Sequence, residues 1–141
     1  MVIRDHAWRV TATLSKIVHQ PLGPLEIEAK AMEEGVTFAS DVGIRDVIFE
    51  GDSKIVSNAL MWLGSPLVAI SNILTGVSQR LQGFRSIKVS HVMRQGNRSA
   101  HILASNVKEV LNSDNYVTWI EKNPMLIKSA LVQDVLNVSS Y

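Results

Sequence analysis

Two acidic residues of this chain stand where a protein can hold a divalent cation. Asp52 follows the apolar segment 47–49 after two intervening residues, and a helical pattern begins at Ser53. This order puts Asp52 at the carboxyl end of a predicted strand, which is the edge where open α/β sheets bind their ligands. Glu28 lies near the start of another predicted helix. Carboxylates are the ligands that hard cations such as Mg²⁺ prefer, so the pair predicts a metal site.

Each of these acids also has a structural explanation that requires no metal ion. A glutamate in the first turns of a helix is favoured by the helix dipole, which explains Glu28 taken alone. Asp52 stands beside Ser53 at a helix start, where aspartate is a good capping residue. Both alternatives stay open at the level of single residues.

The composition is that of a globular protein. The chain has 141 residues, of which 46% are hydrophobic and 19% charged, and its net charge is +1. This is enough for one domain with a core, and any anion-binding surface must be a local patch. The absence of cysteine excludes disulfides and thiolate metal sites. No secretory signal and no apolar run of about 20 residues is seen, so we expect a cytoplasmic or nuclear protein that does not enter a membrane.

Strand and helix patterns alternate along the chain. Pro24 starts the first helix and Gly43 ends it, while Asn97 or Ser99 is expected to cap the last one. The predicted strands are 2–3, 10–18, 47–49 and 87–92, and the predicted helices run from 24, 53–63, 70–81 and from 97 or 99. Residues 10–15 alternate as a half-buried strand does. The order β-β-α-β-α-α-β-α predicts an α/β fold with a mixed sheet, and we expect the three tryptophans to pack in the core or tail.

Four segments in the right order resemble one family, the plant ribonuclease H-like domain, a branch of type 1 ribonuclease H associated with retroelement reverse transcriptases. Its final strand and helix resemble Val89–Ala104, which reads Val-Ser-His-Val-Met-Arg-Gln-Gly-Asn-Arg-Ser-Ala-His-Ile-Leu-Ala. The other matching segments are 25–31, 47–53, and 119–121 with Pro124. The resemblance predicts a ribonuclease H-like domain over residues 1–112 and a C-terminal tail over 113–141.

The resemblance implies an enzyme that hydrolyses the RNA strand of an RNA–DNA hybrid. In the family, four acids surround two metal ions, one activating water and the other stabilising the leaving oxygen. Glu28 and Asp52 match two of these acids, and His101 stands where the family often has aspartate. The implied catalytic residues are therefore Glu28, Asp52 and His101, with Mg²⁺ or Mn²⁺ held weakly by the two carboxylates.

The chain departs from the family at its first strand. The family begins with a central strand carrying Val-x-x-Asp-Gly, whereas residues 1–5 already match the second strand. We therefore expect a mixed sheet, flanked by helices, that lacks the first, central strand. Residues 2–3 and 47–49 must then pair with each other or leave two open edges, and hybrid cleavage should be impaired.

Nucleic-acid contacts are expected from Lys54, beside Asp52, and from Arg94, Asn97 and Arg98 around the last loop. The alternative for any one of the basic residues is ordinary surface charge. Three hypotheses follow: a metal-dependent hybrid ribonuclease, a catalytically inactive nucleic-acid-binding remnant, and a protein-interaction module. In each case a monomer is expected.

Overall fold

The structure, a computed structural model, describes residues 1–7, 9–65, 67–106, 115–120 and 124–138. The strands in this part of the chain are β1 (Val2–Arg4), β2 (Val10–Lys16), β3 (Asp46–Gly51), β4 (Ser86–His91) and β5 (Tyr116–Ile120). The helices are α1 (Pro24–Asp41), α2 (Lys54–Leu60), α3 (Val68–Leu81), α4 (Arg98–Ser105) and α5 (Lys128–Val138), with 3₁₀ turns at Arg94–Asn97 and Met125–Ile127. The predicted order is confirmed as far as α4, and β5 and α5 extend it.

The chain divides into two compact units. Unit 1 combines residues 1–20 with the chain from Arg94 onward, and unit 2 is the continuous segment Pro21–Met93. The boundary predicted between residues 112 and 113 lies outside the described residues and stays a prediction. None of the described helices is both long and apolar enough to cross a bilayer.

Unit 1 is built on a three-stranded antiparallel sheet with β2 in the middle. Val2 pairs with Thr13 on one side of β2, and Ala12 pairs with Ile120 on the other. The half-buried alternation predicted for β2 is wrong, because the four residues 12–15 are all buried. The reason is visible on its polar face, where Ser15 Oγ lies 3.5 Å from the Leu103 carbonyl oxygen, so that α4 covers that face as well.

The start of α4 differs from the prediction. Asn97 occupies the capping position, but its side chain makes no capping hydrogen bond, and Ser99 lies inside the helix. The acceptor comes from α5 instead: the Asp134 carboxylate accepts from the backbone N–H of Arg98 at 3.0 Å and of Ser99 at 3.2 Å. A residue distant in sequence therefore replaces the local cap.

Unit 2 pairs two parallel strands with three helices. β3 and β4 run in register from Asp46 opposite Ser86 to Gly51 opposite His91. The buried apolar side chains of this unit lie mostly on its helices, with one on each strand: Ala29, Val36, Phe38, Ala39, Phe49, Val56, Leu60, Ile70, Leu74, Val77, Leu81 and Val89. The Phe49 ring meets the Phe84 ring edge-to-face, with centroids 5.7 Å apart.

The predicted limits of α1 are confirmed. Pro24 occupies its first turn, and the Glu26 carboxylate accepts from the Gly23 N–H at 2.7 Å. Gly43 follows the helix with φ +79°, a conformation that glycine adopts without strain. In unit 2, α1 also meets α3 through charge, because the Arg80 guanidinium lies 3.2 Å from the Glu33 carboxylate. Burial raises the pKa of Glu33, but the hydrogen bond and charge of Lys30, with Arg80, outweigh it and lower the pKa overall.

The end of α2 departs from the prediction. The helix stops at Leu60 rather than at Leu63, and Trp62 follows with φ +59°. Leu63 is 70% exposed and Trp62 is 84% exposed, so the expectation that Trp62 packs in the core or tail is wrong. Trp119 on β5 is half-buried, and Trp8 lies outside the described residues.

The two sheets bear on the predicted absence of a central strand. Among the described strands, β1 pairs only with β2, and β3 pairs only with β4. β1 and β3 therefore do not pair with each other, and each has one edge without a described partner strand. The arrangement in which residues 2–3 pair with residues 47–49 is therefore wrong, and the absence of a first strand itself stays a prediction.

Candidate functional site

Glu28 lies in the second turn of α1 and is half-buried. The capping role at this helix start belongs to Glu26, whose carboxylate binds the Gly23 N–H. The position of Glu26 is therefore explained by the helix dipole. Glu28 lies on the face of α1 that also carries Met32, one turn later.

Asp52 comes directly after β3 and is half-buried. The capping hydrogen bond of α2 is made by the next residue, since Ser53 Oγ accepts from the Val56 N–H at 3.4 Å. The alternative in which Asp52 itself supplies this cap is therefore not what the structure shows. Asp52 stands at the carboxyl end of a parallel pair of strands, as predicted.

The end of β3 lies against the Glu28 face of α1. A Cβ added to Gly51 would lie 3.7 Å from Met32 Cε. Met32 is one helical turn from Glu28, and Gly51 is the neighbour of Asp52, so α1 meets the end of β3 at a contact one turn from Glu28 and one residue from Asp52. His91, opposite Gly51 in the strand register, is exposed at the same edge. In the sequence, His91 is only one member of the segment Val89–Ala104 that resembles the family. The parallel pairing of β3 with β4 places it at this edge.

The donor set for a metal ion at this corner is small. In the part of the chain that is described, no group of three or more His, Cys, Asp or Glu residues is arranged to hold a metal ion. The third residue implied by the resemblance, His101, is half-buried on α4 of unit 1, while Glu28 and Asp52 belong to unit 2. The carboxylate pair is thus the candidate metal centre of unit 2 by itself.

The predicted nucleic-acid residues fall into two sets. Lys54 is exposed at the first position of α2, immediately after Asp52 and Ser53. Arg94, Asn97 and Arg98 follow one another through the 3₁₀ turn into α4 of unit 1, where both arginines are exposed and Asn97 is half-buried. Neither guanidinium forms an ion pair within the described ranges. Exposed arginines of this kind are suited to phosphate oxygens.

One buried acid of unit 1 was missed by reasoning from the sequence. Asp134 on α5 is fully buried, and its carboxylate lies 2.6 Å from both the Arg4 guanidinium and Ser99 Oγ. A signal for it existed: Ile127, Ala130 and Asp134 have the three- and four-residue spacing of one helix face, and the first two are apolar. A charged residue on an apolar face calls for a buried partner.

The fold is that of the ribonuclease H-like α/β domains. The chain belongs to the reverse transcriptase-like family, whose model matches residues 1–107. Among solved structures, the chain is similar to RNase H1 from the halophilic archaeon Halobacterium salinarum, with 23% identity and a TM-score of 0.60 over 64% of this chain and 69% of that one. At this identity the likeness concerns the fold. The search of curated proteins gave no match.

Proposed function

We propose that this chain binds RNA–DNA hybrids as a monomer and hydrolyses the RNA strand slowly, with Mg²⁺ or Mn²⁺ weakly held by Glu28 and Asp52. The observation that supports the proposal is the approach of Gly51, the neighbour of Asp52, to Met32, which lies one turn from Glu28 on α1. Family membership supports the nucleic-acid part of the proposal.

The residues at this corner fit one metal ion better than two. Mg²⁺ in proteins is commonly bound through one or two carboxylates, with water and substrate phosphates completing its octahedron. Glu28 and Asp52 meet that requirement, whereas a site with two ions about 4 Å apart normally needs more carboxylates. The bound ion would polarise the scissile phosphate and favour deprotonation of water. A small donor set supports weak affinity and slow turnover.

The contacts with the hybrid are assigned to side chains rather than to helix amides. The backbone N–H groups of Arg98 and Ser99 already donate to Asp134, so they are not available to a phosphate. The guanidinium groups of Arg94 and Arg98, the Asn97 amide and the Lys54 ammonium remain as contacts to the hybrid backbone. His101, with an imidazole in place of a carboxylate, is assigned to phosphate contact.

The test is a cleavage and binding assay on a labelled RNA–DNA hybrid in Mg²⁺ and in Mn²⁺. We expect slow cleavage that Asp52→Asn and Glu28→Gln abolish. Asp46→Asn is the matched control, since Asp46 is an exposed carboxylate at the other end of the same strand. For binding, Arg98→Ala should reduce the slope of log affinity against log salt by about one.

Each alternative hypothesis has its own result in this assay. Binding with no detectable cleavage in either metal would contradict the ribonuclease proposal and leave the inactive nucleic-acid-binding remnant. Cleavage that persists in Asp52→Asn would remove the metal assignment. Failure to bind hybrid at low salt would refute the nucleic-acid role altogether and favour the protein-interaction module.

A further inference from the structure

Unit 1 contains a buried, charged cluster that joins three elements. The Arg4 guanidinium on β1 donates to Ser99 Oγ and to Asp134 Oδ2, each at 2.6 Å. Ser99 Oγ in turn donates to the same Asp134 oxygen at 2.6 Å. Asp134 and Ser99 are fully buried, and the Arg4 side chain is 13% exposed. A carboxylate in such a place is stable only if its partners remain in position, because an unpaired buried charge is strongly unfavourable.

Asp134 caps the N-terminus of α4, although it lies on another helix. The first N–H groups of any α-helix lack partners inside it. In α4 two of these groups, those of Arg98 and Ser99, donate to the Asp134 carboxylate, whereas the Asn97 side chain makes no capping bond. The negative charge also lies at the positive end of the helix dipole. The position at which α4 begins therefore depends on α5.

The same helix start carries residues assigned to the hybrid. Arg98 is the first residue of α4, and the 3₁₀ turn before it contains Arg94 and Asn97. The Asp134 carboxylate accepts from the Arg98 backbone N–H, and the Arg98 side chain is exposed. A shift of the helix start would therefore move the basic side chains without removing any of them.

We infer that Asp134 is a positioning residue for nucleic-acid binding: through its contacts with Arg98, Ser99 and Arg4 it holds the turn 94–97 and the start of α4 in the conformation that binds a hybrid. This inference rests on the proposed function. Asp134 lies on α5, beyond residues 1–107 that match the family model. A segment outside the matched region thus controls a binding surface inside it.

The test compares Asp134→Asn with Gln133→Ala, an exposed neighbour on the same helix, in the full chain. Without nucleic acid, amide hydrogen exchange at Arg98 and Ser99 should accelerate in Asp134→Asn and stay unchanged in the control. The Kd for a short RNA–DNA hybrid should rise about tenfold, as expected when the binding-competent conformation falls to roughly a tenth of the population. Val36→Ala, which removes a buried contact in unit 2, should lower the melting temperature and leave the Kd unchanged.

The outcomes separate the two proposals. Hybrid binding by the unsubstituted chain that is equally tight in Asp134→Asn would overturn the positioning role alone. Absence of hybrid binding by the unsubstituted chain would overturn the proposed function, and the positioning role with it. A rise in Kd that Val36→Ala reproduces would show that lost stability, not position, weakens binding. If Asp134→Asn does not fold, Ser99→Ala removes one donor from the cluster and should cause a smaller rise in Kd, and an unchanged Kd there would count against the inference.

Discussion

Replacing Ile127 by alanine should destabilise unit 1 by about 3 kcal/mol. Ile127 lies in the 3₁₀ turn that leads into α5 and is fully buried. Burying an isoleucine side chain contributes roughly 1.5–3 kcal/mol, and the cavity left by truncation adds to that loss, which puts isoleucine-to-alanine changes in the range of about 2–5 kcal/mol. Against a typical total of about 5–15 kcal/mol, such a loss is large.

The assay is urea unfolding followed by far-UV circular dichroism, with the midpoint compared at an unchanged slope. Val132→Ala is the matched control, because Val132 lies on the following helix and is 62% exposed. Its truncation removes little buried area, and alanine is the better helix former. The free energy of unfolding of Val132→Ala should therefore stay within about 0.5 kcal/mol of that of the unsubstituted chain.

The comparison also addresses the predicted boundary between a domain over 1–112 and a tail over 113–141. A midpoint for Ile127→Ala that equals that of Val132→Ala would refute the reasoning, because it would show that residues 124–138 add no stability to the domain. A loss near the expected size would mean that the predicted tail is part of the folded unit.

Two further predictions concern unit 2. Trp62 lies two residues after the end of α2, has φ +59° and is 84% exposed. Because glycine adopts this conformation without strain, Trp62→Gly should be more stable than Trp62→Ala by about 1 kcal/mol. Equal urea midpoints of the two variants would contradict this prediction. The lowered pKa of Glu33 contributes stability that is complete above the ordinary glutamate pKa and is lost as the pH falls through the lowered value. Glu33→Gln should therefore flatten the acid limb of the stability–pH curve below about pH 5, and a limb of unchanged steepness would show that Glu33 does not cause it.

Local signals explain what could be predicted from the sequence. Pro24 and Gly43 mark the limits of α1, and Ser53 caps α2, because each of these effects depends on the backbone of a few neighbouring residues. The strand-end position of Asp52 follows from the same kind of reasoning. These features could be predicted without knowledge of the tertiary contacts.

The misses have a different physical origin. Whether β2 is buried on one face or on both depends on α4, whose Leu103 carbonyl meets Ser15 from 88 residues away. The cap of α4 depends on Asp134, and no pattern near Asn97 reveals an acceptor on another helix. His91 reaches the Asp52 edge only through the register of β3 with β4. In each case a long-range contact decided what short-range preference left open.

The division of the chain has a consequence for how the protein emerges from a ribosome. Unit 2 is one uninterrupted segment, Pro21–Met93, whereas unit 1 needs both residues 1–20 and the chain after Arg94. Since synthesis proceeds from the amino terminus, unit 2 has all its strands and helices before the last part of unit 1 is made. β2 is synthesised before β5, so the edge of β2 that β5 covers stays unpaired until residues 116–120 have been made. Chaperone demand during synthesis should therefore concentrate on β2.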